Sequence, residues 1–309
     1  MNRRTFLRAA LGSVGGLLVA QYGLASPRDY MAQASNPIPT TFVHPKLASN
    51  RTAPVGARIV CLYDISASID EVEHDIQLEV MAETIASEDF KNAIFYPGGP
   101  QSIAICVADF GDTGEVRVPW IDIGLGDEDK LKLLAHEIRG LKRRQFGSTN
   151  HISGLRIAND CMAHCPWPAK RSIVDVLTDG EHNSGGSVTE LVVLRDQLAT
   201  QHEATINALI TLDRNTFELE KWAKDYLITP ARFLKRNGAL LDPGFVKIVA
   251  TQQTDAGALV KYNDAMKIAF RRKLILEVAG IELDELHKIT KTGISAQINN
   301  TFLPRPNIF

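Results

Sequence analysis

The stretch Asp64-Ile65-Ser66-Ala67-Ser68 carries three oxygen-bearing side chains at alternate positions of one short segment. Side chains so spaced in a tight turn can converge on one point, and an all-oxygen donor set suits a hard divalent cation. Ser68 followed by Glu71 is also the pattern of a capping box, so Ser68, with Ser66 in the turn, could equally serve the first amides of a helix. On this turn alone both readings stay open. Two other positions bear on the choice: Thr149 in Gly147-Ser148-Thr149-Asn150, and Asp179 in Thr178-Asp179-Gly180. Each is an ordinary cap or turn residue when taken singly. Taken with Asp64, Ser66 and Ser68 they make coincidence a poor explanation, provided that the fold brings the three segments together.

The surrounding elements supply that condition. Arg58–Tyr63 is short, β-branched and nearly all apolar, as a strand buried on both faces is, and Ile69, Val72, Ile76 and Val80 then recur at helical spacing toward about Ser87. Pro97-Gly98-Gly99-Pro100 breaks the chain. Ser102–Phe110 reads as a second strand, Gly111–Gly114 as a hairpin turn and Glu115–Ile123 as the antiparallel return. A helix opens at Asp127, Glu128 and Asp129 and ends on Lys142, Arg143 and Arg144, charges that match its dipole. A shorter helix follows Thr149. Strand 172–178, helix 188–201 and strand 204–212 continue the alternation, and a helix over 217–228, a strand over 245–250 and a closing helix over 255–278 complete it. The pattern predicts the α/β class, with a doubly wound, mostly parallel sheet, one antiparallel edge strand and helices on both faces. Such sheets bind ligands beyond the carboxyl ends of their strands, the edge on which the Asp64, Thr149 and Asp179 loops would all open.

Asp-x-Ser-x-Ser, then Thr, then Thr-Asp-Gly resembles the metal-ion-dependent adhesion site of von Willebrand factor type A domains, over roughly Val55–Gly280. Within that superfamily the chain looks most like a branch of exported bacterial proteins. That branch carries an Asp-Gly-x-Asn-Asn-x-Gly loop, a Val-Pro-Trp strand and a closing Phe-x-x-Ala-x-x-x-Lys-Leu-x-x-Glu helix. The counterparts here are Asp179–Gly185, with His182 in place of the first Asn, Val118-Pro119-Trp120, and the helix segment containing Lys273, Leu274 and Glu277. The resemblance implies that Ser66, Ser68 and Thr149 contact a cation directly and that Asp64 and Asp179 act mainly through water. Mg²⁺ fits best, because it keeps waters readily, with Mn²⁺ or Ca²⁺ as substitutes. Neutral donors leave the cation electron-poor, so an aspartate or glutamate of a partner protein can complete its shell.

The expected function is therefore an exported, metal-dependent protein-binding module. The competing one is a metal-dependent hydrolase of the envelope with His151 or His182 as base. Against it, the Asp64 turn has no second aspartate two residues on, as an aspartyl-phosphate enzyme would, and no Gly-rich phosphate loop is present. A third is a structural envelope protein whose site only stabilises the fold. Asp109, His151, His182 and Asn183 are candidates for the rim or for support of the ligands, with loop histidines more often merely solvated. Asp175, inside a strand, must find a structural partner, and Trp120 reads as core. Cys61 and Cys106, each three residues before an aspartate, would face each other if their strands are neighbours, though small apolar filling explains them better. Cys161 and Cys165 read as a disulfide or free thiols rather than a zinc site.

Asn2-Arg3-Arg4-Thr5-Phe6-Leu7 before the Gly-diluted apolar segment Ala9–Ala20 reads as a twin-arginine signal peptide over 1–25, with cleavage as late as 34 an alternative. Residues 26–54 read as an extended linker, 55–280 as the domain and 281–309 as a polar tail. Removing the signal takes the formal charge from −2 to −5, which leaves no basic stripe for nucleic acid. No segment is long and apolar enough to span a bilayer. A periplasmic or secreted destination follows.

Overall fold

A computed structural model of the chain describes residues 42–49, 52–144, 147–212, 216–250, 256–282 and 284–290. The chain divides into residues 1–40 and 41–309, and the described residues belong to the second unit. The signal peptide and most of the tail lie outside them.

Six strands form one sheet: β1 (Val55–Asp64), β2 (Ser102–Phe110), β3 (Gly114–Gly124), β4 (Ala169–Thr178), β5 (Ala204–Leu212) and β6 (Val246–Ala250). Their order is β3-β2-β1-β4-β5-β6, parallel throughout except for the β2–β3 hairpin. The chain thus winds outward from β1 to one side and returns through β4 to the other, which makes the β1/β4 boundary the switch point. Strand β1 alternates between two cores: Ile59, Cys61 and Tyr63 face one, Val60 and Leu62 the other.

The first core is covered by α1 (Glu71–Ile85), α2 (Glu88–Phe95), α3 (Asp129–Arg139) and α7 (Ala256–Ala279). The second is covered by α4 (His151–Ala163), α5 (Val188–His202) and α6 (Thr216–Trp222), the last continuing as a π-helical turn over Ala223–Leu227. This is the doubly wound, mostly parallel α/β architecture with one antiparallel edge strand that the sequence predicts. No helix among the described residues is long and apolar enough to cross a membrane.

Several boundaries differ from the sequence expectations. The helix read from Ile69 starts at Glu71 and stops at Ile85, and α2 follows with Ser87 as its cap, accepting from Phe90 N. Cys61 and Cys106 do not face each other, because the parallel register sets Cys106 beside Val60 and sends the two thiols to opposite faces. Cys106 Sγ instead lies 3.6 Å from Cys161 Sγ, and all four cysteines are free. Within the segment read as a linker, residues 42–49 lie against β3: Trp120 N donates to Phe42 O and His44 N to Trp120 O, at 2.7 and 2.9 Å. Within the tail, residues 284–290 are helical and Leu286 is buried in the first core.

Candidate metal centre

The loop after β1 leaves the sheet at Asp64 beside the loop after β4, with the 147–150 segment across from both. Backbone hydrogen bonds stitch the three together. Ala67 N donates to Gly147 O at 2.8 Å, and Asn183 N donates to Thr149 O at 3.0 Å. Close approach is permitted at Gly180, where an added Cβ would stand 3.1 Å from Thr149 Oγ1. On this frame the five expected side chains meet. Thr149 Oγ1 donates to Ser66 Oγ at 3.0 Å, Ser66 Oγ and Ser68 Oγ are 3.1 Å apart, and Ser68 Oγ donates to Asp179 Oδ1 at 2.8 Å. Asp64 lies behind them, its Oδ1 accepting from Ser66 N at 2.8 Å. Asp64, Ser66 and Thr149 are buried, Asp179 is half-buried and Ser68 is exposed, so the cluster has a dry floor and a wet rim.

The capping alternative for these hydroxyls is overturned. Helix α1 is capped by Asp70, whose side chain accepts from Glu73 N at 2.8 Å while Glu73 returns the bond to Asp70 N, so the capping box lies two residues beyond the Ser68/Glu71 pair. Helix α4 is likewise capped by Asn150, accepting from Ser153 N at 3.1 Å, not by Thr149. Ser68 and Thr149 are left to face the cluster.

The remaining candidates separate. Asp109 is buried and held by Arg117 and Arg144; Arg117 also donates to Lys142 O and Arg144 to Thr113 O, so Asp109 ties the β2–β3 hairpin to the segment after α3. His151 is not a solvated loop residue but the buried first residue of α4, tilted against Phe110 and Trp222 with ring centroids 5.1 Å away in each case. Burial, with His182 nearby, pushes its pKa down to about 3, which makes it a poor base. His182 Nε2 donates to Gly186 O at 3.2 Å within its own loop. Asn183 is exposed and contributes the backbone bond to Thr149.

Three supporting residues escaped the sequence. Thr178 Oγ1 donates to Asp64 Oδ2 at 2.7 Å; the parallel register that aligns Tyr63 with Leu177 makes Thr178 the neighbour of Asp64, a signal available once β1 and β4 are paired. Arg143, read only as a helix-terminal charge, donates to the carbonyls of Ser66 (2.9 Å) and Ile69 and so fixes the first loop from beneath. Asp112 accepts from Ser148 N and Oγ, at 2.9 and 2.5 Å, bonds that hold its carboxyl below the usual range and anchor the second loop.

The donor chemistry fits a hard cation. Among the described residues no three His, Cys, Asp or Glu side chains gather at metal-binding range, so an ion here would be held by hydroxyls together with carboxylates. Asp64 singles the place out. Four aspartates at the sheet are buried, Asp64, Asp109, Asp122 and Asp175, and the last three each lie within 4.0 Å of a Lys or Arg nitrogen. Asp64 accepts instead from an amide and a hydroxyl. Burial, with Asp179 next, pushes its carboxyl up to about 7, the mark of a buried charge without a cation beside it.

Among solved structures the chain is similar to a von Willebrand factor type A protein from Catenulispora acidiphila, at 16% identity and a TM-score of 0.41, covering 70% of this chain and 42% of that one. It is similar also to proximal thread matrix protein 1 from the mussel byssus with a zinc-occupied metal-ion-dependent adhesion site, at 16% identity, a TM-score of 0.41 and coverage of 71% and 47%. A third is a D319A mutant of the PilB minor pilin from Streptococcus sanguinis, at 12% identity, a TM-score of 0.43 and coverage of 74% and 64%. The chain spans less than half the length of the first two, and at these values the fold rests on the protein's own strand order and directions. No curated protein matches. Residues 55–282, well over half of the chain, match the family described as Protein of unknown function (DUF1194), and the chain belongs to that family.

Proposed function

We propose that this protein is an exported binding module that captures an acidic side chain of another envelope protein through a divalent cation held by Ser66, Ser68 and Thr149, with Asp64 and Asp179 supporting. One observation carries the proposal: five oxygen-bearing side chains from three loops form one connected cluster at the sheet's switch point, open to solvent on the Ser68 and Asp179 side. The bound cation, Mg²⁺ for preference and Mn²⁺ or Ca²⁺ in its place, supplies a Lewis-acidic position that accepts one further anionic oxygen. The residues of the chain set its terms. Thr149 and Ser66 present hydroxyl oxygens from the buried floor, Ser68 presents one from the rim, and Asp64 orients Ser66 through the bond to its amide. The twin-arginine segment supports a periplasmic or secreted location. Of the two bases open to the hydrolase alternative, His151 packs against Phe110 and Trp222 with a depressed pKa, which weighs against it in that role.

The test is retention of envelope proteins on the immobilised domain with Mg²⁺ or with EDTA. Retention of an acidic protein that needs Mg²⁺, is lost in Thr149→Ala and is competed by a glutamate-containing peptide is expected. Retention indifferent to EDTA, or metal-dependent turnover of phosphate esters lost in Asp179→Ala, contradicts it.

A further inference from the structure

The second core holds three of the four cysteines, and two of them touch. Cys106 of β2 and Cys161 of α4 are fully buried, 55 positions apart in the chain, with their sulfurs 3.6 Å from each other. That is a contact between two thiols, about 1.5 Å longer than an S–S bond. Cys61 takes no part, because it faces the first core.

The elements that carry the pair lie close together. On β2, Cys106 sits between Ala104 and Ala108, which face the same core, and on α4 the buried residues Gly154, Ala158 and Cys161 recur at helical spacing. At Gly154 an added Cβ would stand 3.0 Å from Phe110 Cγ and 3.1 Å from Leu62 Cδ2, so the helix backbone rests directly on the sheet. Small side chains on both elements permit the near approach of backbones that a disulfide requires. Trp120 Nε1 donates to Cys161 O at 2.8 Å and holds the end of α4 on the same sheet.

The third thiol supplies a way in. Cys165 lies just beyond α4 and is half-buried, more open to solvent than the pair, with Sγ donating to Trp167 O at 3.5 Å. Burial pushes its thiol up, whereas the neighbouring Arg58 guanidinium favours the thiolate. Cys165 stands near enough to Cys106 and Cys161 for its charge to act on theirs.

We propose that Cys106 and Cys161 are a disulfide-forming pair, closed by a small disulfide oxidant that enters at Cys165. The Cys165 thiolate attacks one sulfur of the oxidant, forming a mixed disulfide and releasing one thiol. Cys161 then attacks Cys165 Sγ and displaces the second thiol, and Cys106 attacks Cys161 Sγ, which returns Cys165 as a thiol. Two protein thiols are oxidised, the oxidant is reduced to two thiols, and the two protons pass to them. The bond ties β2, which leads to Asp112, to the helix that follows Thr149, and by closing a long loop it restricts the unfolded chain. Export would deliver the pair to an oxidising compartment, but the pairing stands on the sulfur contact and needs neither export nor a bound cation.

The test incubates the reduced full chain with excess glutathione disulfide, traps the remaining thiols with N-ethylmaleimide and maps the products by peptide mass spectrometry, with thermal unfolding in parallel. One bond between Cys106 and Cys161 is expected, with Cys61 and Cys165 alkylated and the melting temperature raised by about 5–10 °C. Cys165→Ser should slow closure at least tenfold and reach the same bond, and Cys161→Ala should abolish both the bond and the thermal shift. Should Cys161→Ala fail to fold, the mapped bond in the parent and the rate in Cys165→Ser still decide. Four free thiols after incubation, an end product joining Cys161 to Cys165, an unchanged melting temperature, or closure of Cys165→Ser at the parent's rate overturns the assignment.

Discussion

Asp64 at the end of β1 and Asp175 within β4 are both buried at the centre of one sheet, and the chain treats their charges in opposite ways. Asp175 has its counter-ion built in: Lys273 comes from a helix 98 residues away to reach it, with Glu277 on the same ammonium. Asp64 receives an amide and a hydroxyl, and its charge is disfavoured by burial. A carboxylate with an internal cation is a closed structural unit. A carboxylate stabilised by neutral donors at a loop edge is open to a cation from solution. The location fits the contrast, because Asp175 lies under α7 whereas Asp64 lies behind loops that reach solvent.

The largest expected effect comes from removing the internal cation. Lys273→Met leaves two buried carboxylates uncompensated and should cost about 3–5 kcal/mol in urea unfolding. Asp64→Asn, measured with EDTA present, should cost little or even stabilise. Equal losses would break the comparison.

Next comes cation affinity. Ser66→Ala or Asp64→Ala should lower Mg²⁺ affinity by calorimetry at least a hundredfold, about 2.7 kcal/mol, while Lys273→Met, at a temperature where it remains folded, should leave it within a few-fold. The pH dependence follows. Glu277 has a folded-state pKa of about 8 against an ordinary value of 4.5, so its contribution to stability is complete below the unfolded value and is lost as pH rises through the folded one. Melting temperature should fall between pH 5 and pH 8, with Asp64, raised to about 7, adding to the fall, and Glu277→Gln should reduce the slope and remove the part above pH 7.

The smallest effect separates cap from ligand. Asp70→Ala should cost about 1 kcal/mol of stability with cation affinity unchanged, and Ser68→Ala should do the reverse. Loss of stability in Ser68→Ala with affinity intact would return Ser68 to a capping role.

Much of this arrangement was legible in the sequence. Apolar β-branched runs at β1, β2, β4 and β5 and helical spacing between them fixed the winding, and the winding alone places the Asp64, Thr149 and Asp179 loops on one edge. What stayed hidden depends on register and on competition between local patterns. Ser68/Glu71 and Asp70/Glu73 both have capping-box spacing, and only the observed start of α1 decides for Asp70. The parity of Cys61 and Cys106 needed the pairing of Val60 with Cys106. Residues 42–49 looked like linker because their partners, Trp120, Asp122 and Glu137, lie far along the chain. The counter-ion of Asp175 was demanded by its position in a strand but could not be named, since nothing local points from β4 to Lys273.

The most direct measurement is the anomalous difference density of crystals soaked in MnCl₂. The account predicts one strong peak in coordination contact with Ser66 Oγ, Ser68 Oγ and Thr149 Oγ1, and none beside Asp175. A map without a peak at the three hydroxyls, or with the manganese at another carboxylate, would contradict it.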